Sequence, residues 1–195
     1  MSKIFYLMGK SSSGKDSMYK ELLKEAPTLK SVVSYTTRPI REGETNGVEY
    51  FFVDEKELSK MKQEGKVIEE RAYDTVHGVW KYFTLDDEQI DLNSKNYLLM
   101  GTPASYKKLR EFYGEDRLIP IYLHVDDGVR LERALRREQG QANPRYEEMC
   151  RRYLADHEDF SEKNLEEAKI TKEFNNENFQ ECLREIVEYI HGSMV

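Results

Sequence analysis

The chain has 195 residues, of which 38% are hydrophobic and 34% are charged, and its formal net charge is -7. That length suits one domain with a real core, and 5 Pro and 11 Gly are too few for a disordered or collagen-like chain. The acidic net charge argues against a protein that coats nucleic acid, and no apolar run reaches the roughly 18 residues of a membrane span. We therefore expect a cytoplasmic globular protein, a monomer or homodimer, that binds small molecules and neither nucleic acid nor a membrane.

The two cysteines, Cys150 and Cys182, lie in segments with helical spacing. Neither has a second Cys or His at the spacing of a metal site, so we expect free thiols that are buried or partly buried. Free thiols fit a reducing compartment.

The first third of the chain alternates short apolar runs with polar segments. The run 3–8 is aromatic and β-branched and predicts a strand, and helical spacing over 16–24 predicts a helix directly after a glycine-bearing loop. A second strand is expected over 29–35, and Pro39 then stops regular structure.

The middle of the chain has the pattern of a small β-rich insertion. A strand is expected at 49–53, a helix at 55–65 and a further strand at 66–73, followed by a polar, aromatic stretch that reaches Thr84.

The second half returns to a strand–helix–strand pattern. The runs 97–100 and 119–125 are apolar without alternation, as expected of strands buried on both faces of a parallel sheet, and 105–113 between them predicts a helix. Two charged helices, at 129–137 and 145–156, should flank a polar loop. The final helix is expected to bury one stripe, formed by Phe179, Cys182, Leu183, Ile186, Val187 and Ile190.

A phosphate-binding loop is predicted at residues 9–15. The segment fits G-x-x-x-x-G-K between a predicted strand and a predicted helix. Glycines let successive backbone N–H groups turn inward around a phosphate, and the helix N-terminus adds partial positive charge. Lys15 would bridge the outer phosphates. A serine-rich turn is the alternative, which the strand and helix on either side disfavour.

One position departs from the usual loop pattern. Asp16 stands where a Ser or Thr hydroxyl usually meets Mg²⁺, and Ser17 follows it. Asp16 could bind the metal through water, Ser17 could supply the hydroxyl, or Asp16 could favour the helix start through the helix dipole. The sequence leaves all three interpretations open.

A second group of phosphate donors follows the second predicted strand. Arg38 and Arg41 are three residues apart, with the hydroxyl of Ser34 before them and Tyr50 after them. Such a convergent set suits a dianionic phosphate. A pair of arginines alone is more often a solvated surface, but beside a phosphate loop it indicates a second phosphate site.

Together these two segments resemble the guanylate kinases, which join a GxSGxGK loop to S-x-T-T-R-x-x-R-x-G-E-x-x-G-x-x-Y. The resemblance extends over most of the chain. Residues 65–69 are similar to the family's G-x-F-[IL]-E, and His77 with Gly78 to its H-G-x-x-Y-G-[ST]. The C-terminal half is similar to the family at its lid and post-lid arginines and at an asparagine near the adenine site: Arg133, Arg137, Arg151, Arg152, and Asn175 with Asn176.

The resemblance implies a three-layer α/β P-loop fold with a parallel core sheet. It implies a cytoplasmic enzyme of purine nucleotide metabolism that uses ATP and Mg²⁺ to phosphorylate a nucleoside monophosphate, GMP above all. The expected parts are a core (1–33 and 85–195), an acceptor-binding insertion (34–84) and a lid (136–145).

The resemblance also implies roles for individual residues. Glu69 would accept hydrogen bonds from guanine N1 and N2, because that edge of guanine offers donors. A strand with outward charges is the alternative for Glu69. The implied catalytic residues are Lys15, Arg133, Arg137 and Arg152; the implied ATP-binding residues are Gly9, Lys10, Ser11, Ser12, Ser13, Gly14, Lys15, Asp16, Ser17 and Asn175; and the implied acceptor-binding residues are Ser34, Arg38, Arg41, Tyr50, Glu69, Tyr82 and Thr102.

Two departures from the family concern base reading. The family's I-L-D-I-D segment corresponds to Leu98–Thr102 here, where no carboxylate remains. The family's Y-Y-G-[ST] becomes Trp80–Thr84. Either Thr102 contacts the base through its hydroxyl, or the acceptor is not guanine.

For other residues we expect structural roles without a part in catalysis. His77 is expected to serve a turn or packing, because a phosphate acceptor that is already ionised needs no strong base. Several of the helical arginines should be solvated partners of nearby glutamates. Two rival functions stay open: a kinase of another phosphorylated acceptor, such as ribose 1,5-bisphosphate, and a catalytically silent protein-binding module. The intact loop at 9–15 counts against the second.

Overall fold

The structure is a computed structural model that describes residues 2–75 and 78–194. The turn or packing role predicted for His77 therefore falls outside the described residues. In the described part, no helix has the length and apolar character needed to cross a membrane. The elements in chain order are β1 (Ile4–Gly9), α1 (Lys15–Glu25), β2 (Leu29–Ser31), β3 (Tyr35–Thr36), β4 (Phe51–Phe52), α2 (Glu55–Gln63), β5 (Val67–Thr75), β6 (Gly78–Leu85), β7 (Asn96–Gly101), α3 (Pro103–Tyr113), β8 (Leu118–His124), α4 (Asp127–Gln139), α5 (Tyr146–Asp159), α6 (Glu162–Glu167), β9 (Glu173–Asn175) and α7 (Phe179–Ser193).

A five-stranded parallel sheet in the order β2-β7-β1-β8-β9 forms the centre of the fold. All six residues of β1 are buried, because helices cover both faces of the sheet. Phe5 and Leu7 pack with α1 and α7 on one face. Tyr6 on the other face packs with α3 residues such as Tyr106. The predicted three-layer α/β fold is confirmed.

A second sheet of four strands, in the order β4-β3-β6-β5, takes β3 from the end of the predicted strand at 29–35 and its other strands from the stretch predicted to be β-rich. Its main part is the antiparallel β5–β6 pair. Leu58 of α2 packs on Phe83 and Leu85 to form a small separate core. A capping box fixes the start of α2. The Asp54 side chain accepts a hydrogen bond from the backbone N–H of Glu57, and the Glu57 side chain accepts one from the backbone N–H of Asp54.

The predicted strand at 29–35 is split between the two sheets. Its first part, β2, pairs with β7, and Val32 N still donates to Leu98 O at 3.2 Å. The backbone of Val33 instead bonds the side-chain amide of Gln89, at 3.0 Å and 3.1 Å, so the chain leaves the core sheet there. Two residues later β3 pairs with β4 and β6.

Three further details differ from the expectations. Cys150 is exposed, whereas Cys182 is buried as expected, and both thiols are free. The short elements α6 and β9 had no sequence prediction. In β9 only Phe174 is buried, so three residues carry too little alternation to indicate a strand.

Candidate active site

A cavity of about 800 Å³ opens where β1 and β7 end, and the second sheet and α5 form its other walls. Ligands of open α/β sheets bind at the carboxyl ends of the strands. The predicted site residues all line this cavity with three exceptions, Ser13, Glu69 and Asn175. The structure therefore brings together predicted site residues from six separate segments of the chain: 9–17, 34–50, 82, 102, 133–137 and 152.

The phosphate loop has a backbone that its glycines permit. Gly14 has φ +86°, and a Cβ on Gly9 would lie 2.6 Å from Ser13 Oγ. Gly14 precedes α1 without a side-chain cap, so the first N–H groups of this helix have no side-chain acceptor. Such N–H groups, with the helix dipole behind them, suit a phosphate.

An arginine that the sequence analysis overlooked supports the loop from outside. Arg130 is 1% exposed, and its Nε donates to Ser11 O at 3.0 Å. It pairs with Asp127 and, at 3.5 Å, with Asp156. Asp156 Oδ2 also accepts from Ser11 N at 2.7 Å. Arg130 stands in a run of helical arginines, so only its buried position distinguishes it.

The asparagine that contacts the loop is Asn176, which corrects the choice of Asn175. Asn176 is 2% exposed, and its Nδ2 donates to Ser13 O at 2.7 Å. Asn175 is exposed, and its Oδ1 accepts from Glu177 N at 2.9 Å. The reason is register: Asn175 is the last residue of β9, and Asn176, whose N–H bonds His124 O, turns toward the loop.

Lys15 and Asp16 meet at the mouth of the loop. Lys15 Nζ lies 3.2 Å from Asp16 Oδ1 and 3.4 Å from Met100 Sδ. The ammonium of Lys15 lowers the pKa of Asp16, so this carboxylate is ionised at neutral pH. Among the described residues, no cluster of three or more His, Cys, Asp or Glu could hold a metal by itself. Asp16 and Ser17 offer the hard oxygen atoms that Mg²⁺ prefers, and Mg²⁺ typically takes one or two protein ligands and completes its shell with water and phosphates.

Arg38 and Arg41 line the same cavity. Arg38 is 4% exposed and makes a bidentate pair with Glu44, at 2.7 Å and 2.5 Å. Its guanidinium carbon lies 5.1 Å from the centre of the Tyr50 ring. No ion pair among residues 2–75 and 78–194 involves Arg41, which is exposed, and partial desolvation together with the charges of Arg152 and Arg38 lowers its pKa. An anion between Arg41 and Arg152 would relieve their repulsion.

The arginines of α4 and α5 complete a cationic wall. Arg133 donates to Asn176 O at 3.3 Å and 3.4 Å, and Arg137 also lines the cavity. Arg151 and Arg152 share the buried carboxylate of Glu148, at 2.8 to 2.9 Å. Despite the acidic net charge, the local field of the cavity is positive, which favours phosphates.

The surroundings of Glu69 differ from the expectation. Glu69 is 4% exposed and does not line the cavity. Its carboxylate binds Arg71 at 2.9 Å and 3.2 Å, and Thr84 Oγ1 donates to it at 2.8 Å. Arg71 does line the cavity, so the group that faces the cavity here is a guanidinium.

Tyr73 and Asp159 also line the cavity, and the sequence predicted neither. Tyr73 OH lies 3.3 Å from Asp159 Oδ2, and burial raises the pKa of Asp159. Alternate residues of a strand lie on the same face. The position of Arg71 and Tyr73 two residues apart on β5 was therefore the signal that could have predicted that both face the cavity.

The family model described as guanylate kinase matches residues 1–191. The chain belongs to the guanylate kinase family. Similar curated proteins include the guanylate kinase of Clostridioides difficile, 40% identical over 79 residues, which are 40% of this chain and 38% of that protein. The guanylate kinase of Thermotoga maritima is 31% identical over 127 residues, covering 56% of this chain and 61% of that one. The chain thus spans less than two thirds of these relatives' lengths.

A solved guanylate kinase from Anaplasma phagocytophilum has the same fold. Its TM-score to this chain is 0.67, over 98% of this chain and 85% of the other, at 19% sequence identity. The family predicted from the loop and the arginine segment is therefore confirmed.

Proposed function

We propose that this member of the guanylate kinase family transfers the terminal phosphoryl group of ATP to GMP, giving ADP and GDP. The observation that supports the proposal is that the 9–15 loop and the pair Arg38 and Arg41, two sets suited to phosphate, line one cavity. The reaction belongs to purine nucleotide metabolism in the cytoplasm and needs only small nucleotides as partners.

The donor side would be held by the loop and its first helical turn. Backbone N–H groups of 9–15 and Lys15 would bind the ATP phosphates, and Asn176 and Arg130 hold the loop in shape from behind. Mg²⁺, which neutralises charge on the transferring phosphates, would be held by Asp16 or Ser17.

The acceptor side would hold the phosphate of the monophosphate. Arg41 and Arg38 would bind its oxygens, assisted by the hydroxyls of Ser34, Tyr50 and Tyr82. The acceptor oxygen is already ionised at neutral pH, so positioning and charge stabilisation supply the catalysis and no general base is required.

The arginines between the two sites would stabilise the transition state. Arg133, Arg137 and Arg152 line the cavity with Lys15, where negative charge spreads over the transferred group. The proposed lid, 136–145, starts in the last turn of α4, and Glu138 accepts from Arg145 N at 3.0 Å across it. Its closure would exclude water and so prevent wasteful hydrolysis of ATP.

The test is a coupled assay of ADP release with GMP, dGMP, AMP, CMP, UMP and ribose 1,5-bisphosphate as acceptors. We expect GMP to give the highest kcat/KM. If ribose 1,5-bisphosphate were best, the kinase chemistry would stand and the acceptor would be wrong. If no acceptor released ADP, the silent binding module would be the better account.

A further inference from the structure

We propose that Arg71, and not Glu69, reads the acceptor base, by donating hydrogen bonds to the O6 and N7 atoms of a 6-oxopurine. The inference rests on the proposed function, because it defines which nucleoside monophosphates the same site accepts. It assigns a specificity-determining role to the cluster of Arg71, Tyr73, Thr102 and Asp159 in the wall of the cavity.

Glu69 is already committed to other partners. Its two oxygens accept from Arg71 Nε at 2.9 Å, from Arg71 Nη2 at 3.2 Å and from Thr84 Oγ1 at 2.8 Å, and the side chain is 1% exposed. A carboxylate has about four acceptor positions, so to accept from both guanine N1 and N2 it would have to give up at least one of these three bonds. Breaking a buried pair by removing one partner is strongly unfavourable.

Arg71 has hydrogen-bond donors left over. A guanidinium carries five N–H groups. Within the described residues, three of these bonds are made, two to Glu69 and one from Nη1 to Thr102 Oγ1 at 3.4 Å. One N–H on Nη1 and one on Nη2 therefore remain for a ligand in the cavity. Two parallel donors of this kind match the O6 and N7 acceptors of guanine, the commonest specific contact that arginine makes with a base.

The local charge favours a neutral heterocycle over a second phosphate. Glu69 neutralises Arg71, and the carboxylate of Asp159 lies nearby, 3.3 Å from Tyr73 OH. A phosphate placed here would meet one compensated cation and a second carboxylate. The side chains of Met100 and Phe160 add apolar surface to the same lining, which suits a planar ring.

This arrangement predicts an unusual selectivity. GMP and IMP share O6 and N7 and differ only in the 2-amino group, which Arg71 does not contact. AMP presents an amino donor where the other two present O6, so a donor would face a donor. We expect IMP to be used within about tenfold of GMP, and AMP to be worse than GMP by at least about tenfold, the value of one charged hydrogen bond.

The experiment measures kcat/KM for GMP, IMP, AMP and 7-deaza-GMP, which lacks the N7 acceptor. The unmutated protein should use 7-deaza-GMP at least about tenfold less well than GMP. In Arg71→Lys, which keeps the charge beside Glu69 but loses the fork, that difference should disappear. In Arg71→Ala, Glu69 becomes free to accept from N1 and N2, so the preference for GMP over IMP should rise by about tenfold or more. Arg184→Ala, an exposed arginine on α7, should leave all these ratios unchanged.

Two results with the unmutated protein would overturn the inference without any variant: more than tenfold preference for GMP over IMP, or equal use of GMP and 7-deaza-GMP. If no nucleotide is turned over, calorimetric binding of the same four nucleotides separates the two proposals. Binding that depends on N7 and on Arg71 would then overturn only the proposed function, whereas absence of binding would overturn both.

Discussion

The side-chain amide of Asn176 donates a hydrogen bond to the backbone carbonyl of Ser13, with 2.7 Å between nitrogen and oxygen. This contact joins the segment after β9 to the back of the phosphate loop. The same amide would lie 2.6 Å from a Cβ on Gly14, so the loop and Asn176 fit together only because residue 14 is glycine. The loop is thereby held in shape before any nucleotide binds.

Asn176→Ala is therefore expected to raise the KM for ATP by about tenfold. The variant leaves the buried carbonyl of Ser13 without its partner, at a cost of about 1 to 3 kcal/mol, and the loop loses its fixed shape. The KM for GMP should change little. Asn175→Ala is the matched control, because Asn175 is exposed and does not line the cavity. Equal effects of the two variants on the KM for ATP would contradict this role.

The acceptor site gives a second prediction. Arg41→Ala should raise the KM for GMP by at least about tenfold, because a charged hydrogen bond to phosphate is lost, while the KM for ATP stays nearly constant. Glu44→Gln should raise the KM for GMP by a smaller factor, since Glu44 positions Arg38. Glu42→Gln, an exposed neighbour, is the control. A rise in the KM for ATP instead would assign these arginines to the other nucleotide.

The third prediction concerns stability and pH. Arg151 and Arg152 lower the pKa of Glu148 from 4.5 to about 2. A carboxyl whose pKa is lower in the folded state than in the unfolded chain stabilises the fold at every pH above its unfolded pKa. This contribution is lost as the pH falls from about 5 to 2. We expect the ionised Glu148 carboxylate to add about 2 kcal/mol to the free energy of unfolding at pH 7. This is less than the change in its pKa alone would give, because both arginines are partly exposed to solvent.

Urea unfolding at pH 7, 5 and 3 tests this assignment. Glu148→Gln should be less stable than the unmutated protein at pH 7, and the difference should shrink toward low pH. Glu147→Gln, an exposed neighbour on α5, should show no such loss. A difference between the unmutated protein and Glu148→Gln that is independent of pH would mean that charge pairing is not its cause.

Much of the fold could be predicted because its signals are local. The run of β1 is buried on both faces, the loop has fixed glycine spacing, and α1 follows at once, so neighbouring residues specify all three. The arginines proposed to bind the acceptor phosphate could be predicted for the same reason, since Arg38 and Arg41 stand in one short motif.

The remaining features depend on contacts between distant segments. Two adjacent asparagines, 175 and 176, cannot be told apart until the register of β9 on β8 is known. The hydrogen bond from Thr84 to Glu69 depends on the register of β5 and β6, which places Glu69 opposite Thr84. The strand at 29–35 divides because Gln89, more than fifty residues later, bonds the backbone of Val33.

Direct measurement of GDP formed from ATP and GMP tests the central claim. The unmutated protein should produce GDP and ADP in equal amounts. Lys15→Ala should remain folded and lose at least about 100-fold in kcat, because Lys15 acts on charge that develops during transfer, whereas Lys24→Ala, an exposed change on the same helix, should keep full activity. Release of ADP without GDP, or near-normal turnover by folded Lys15→Ala, would contradict the account.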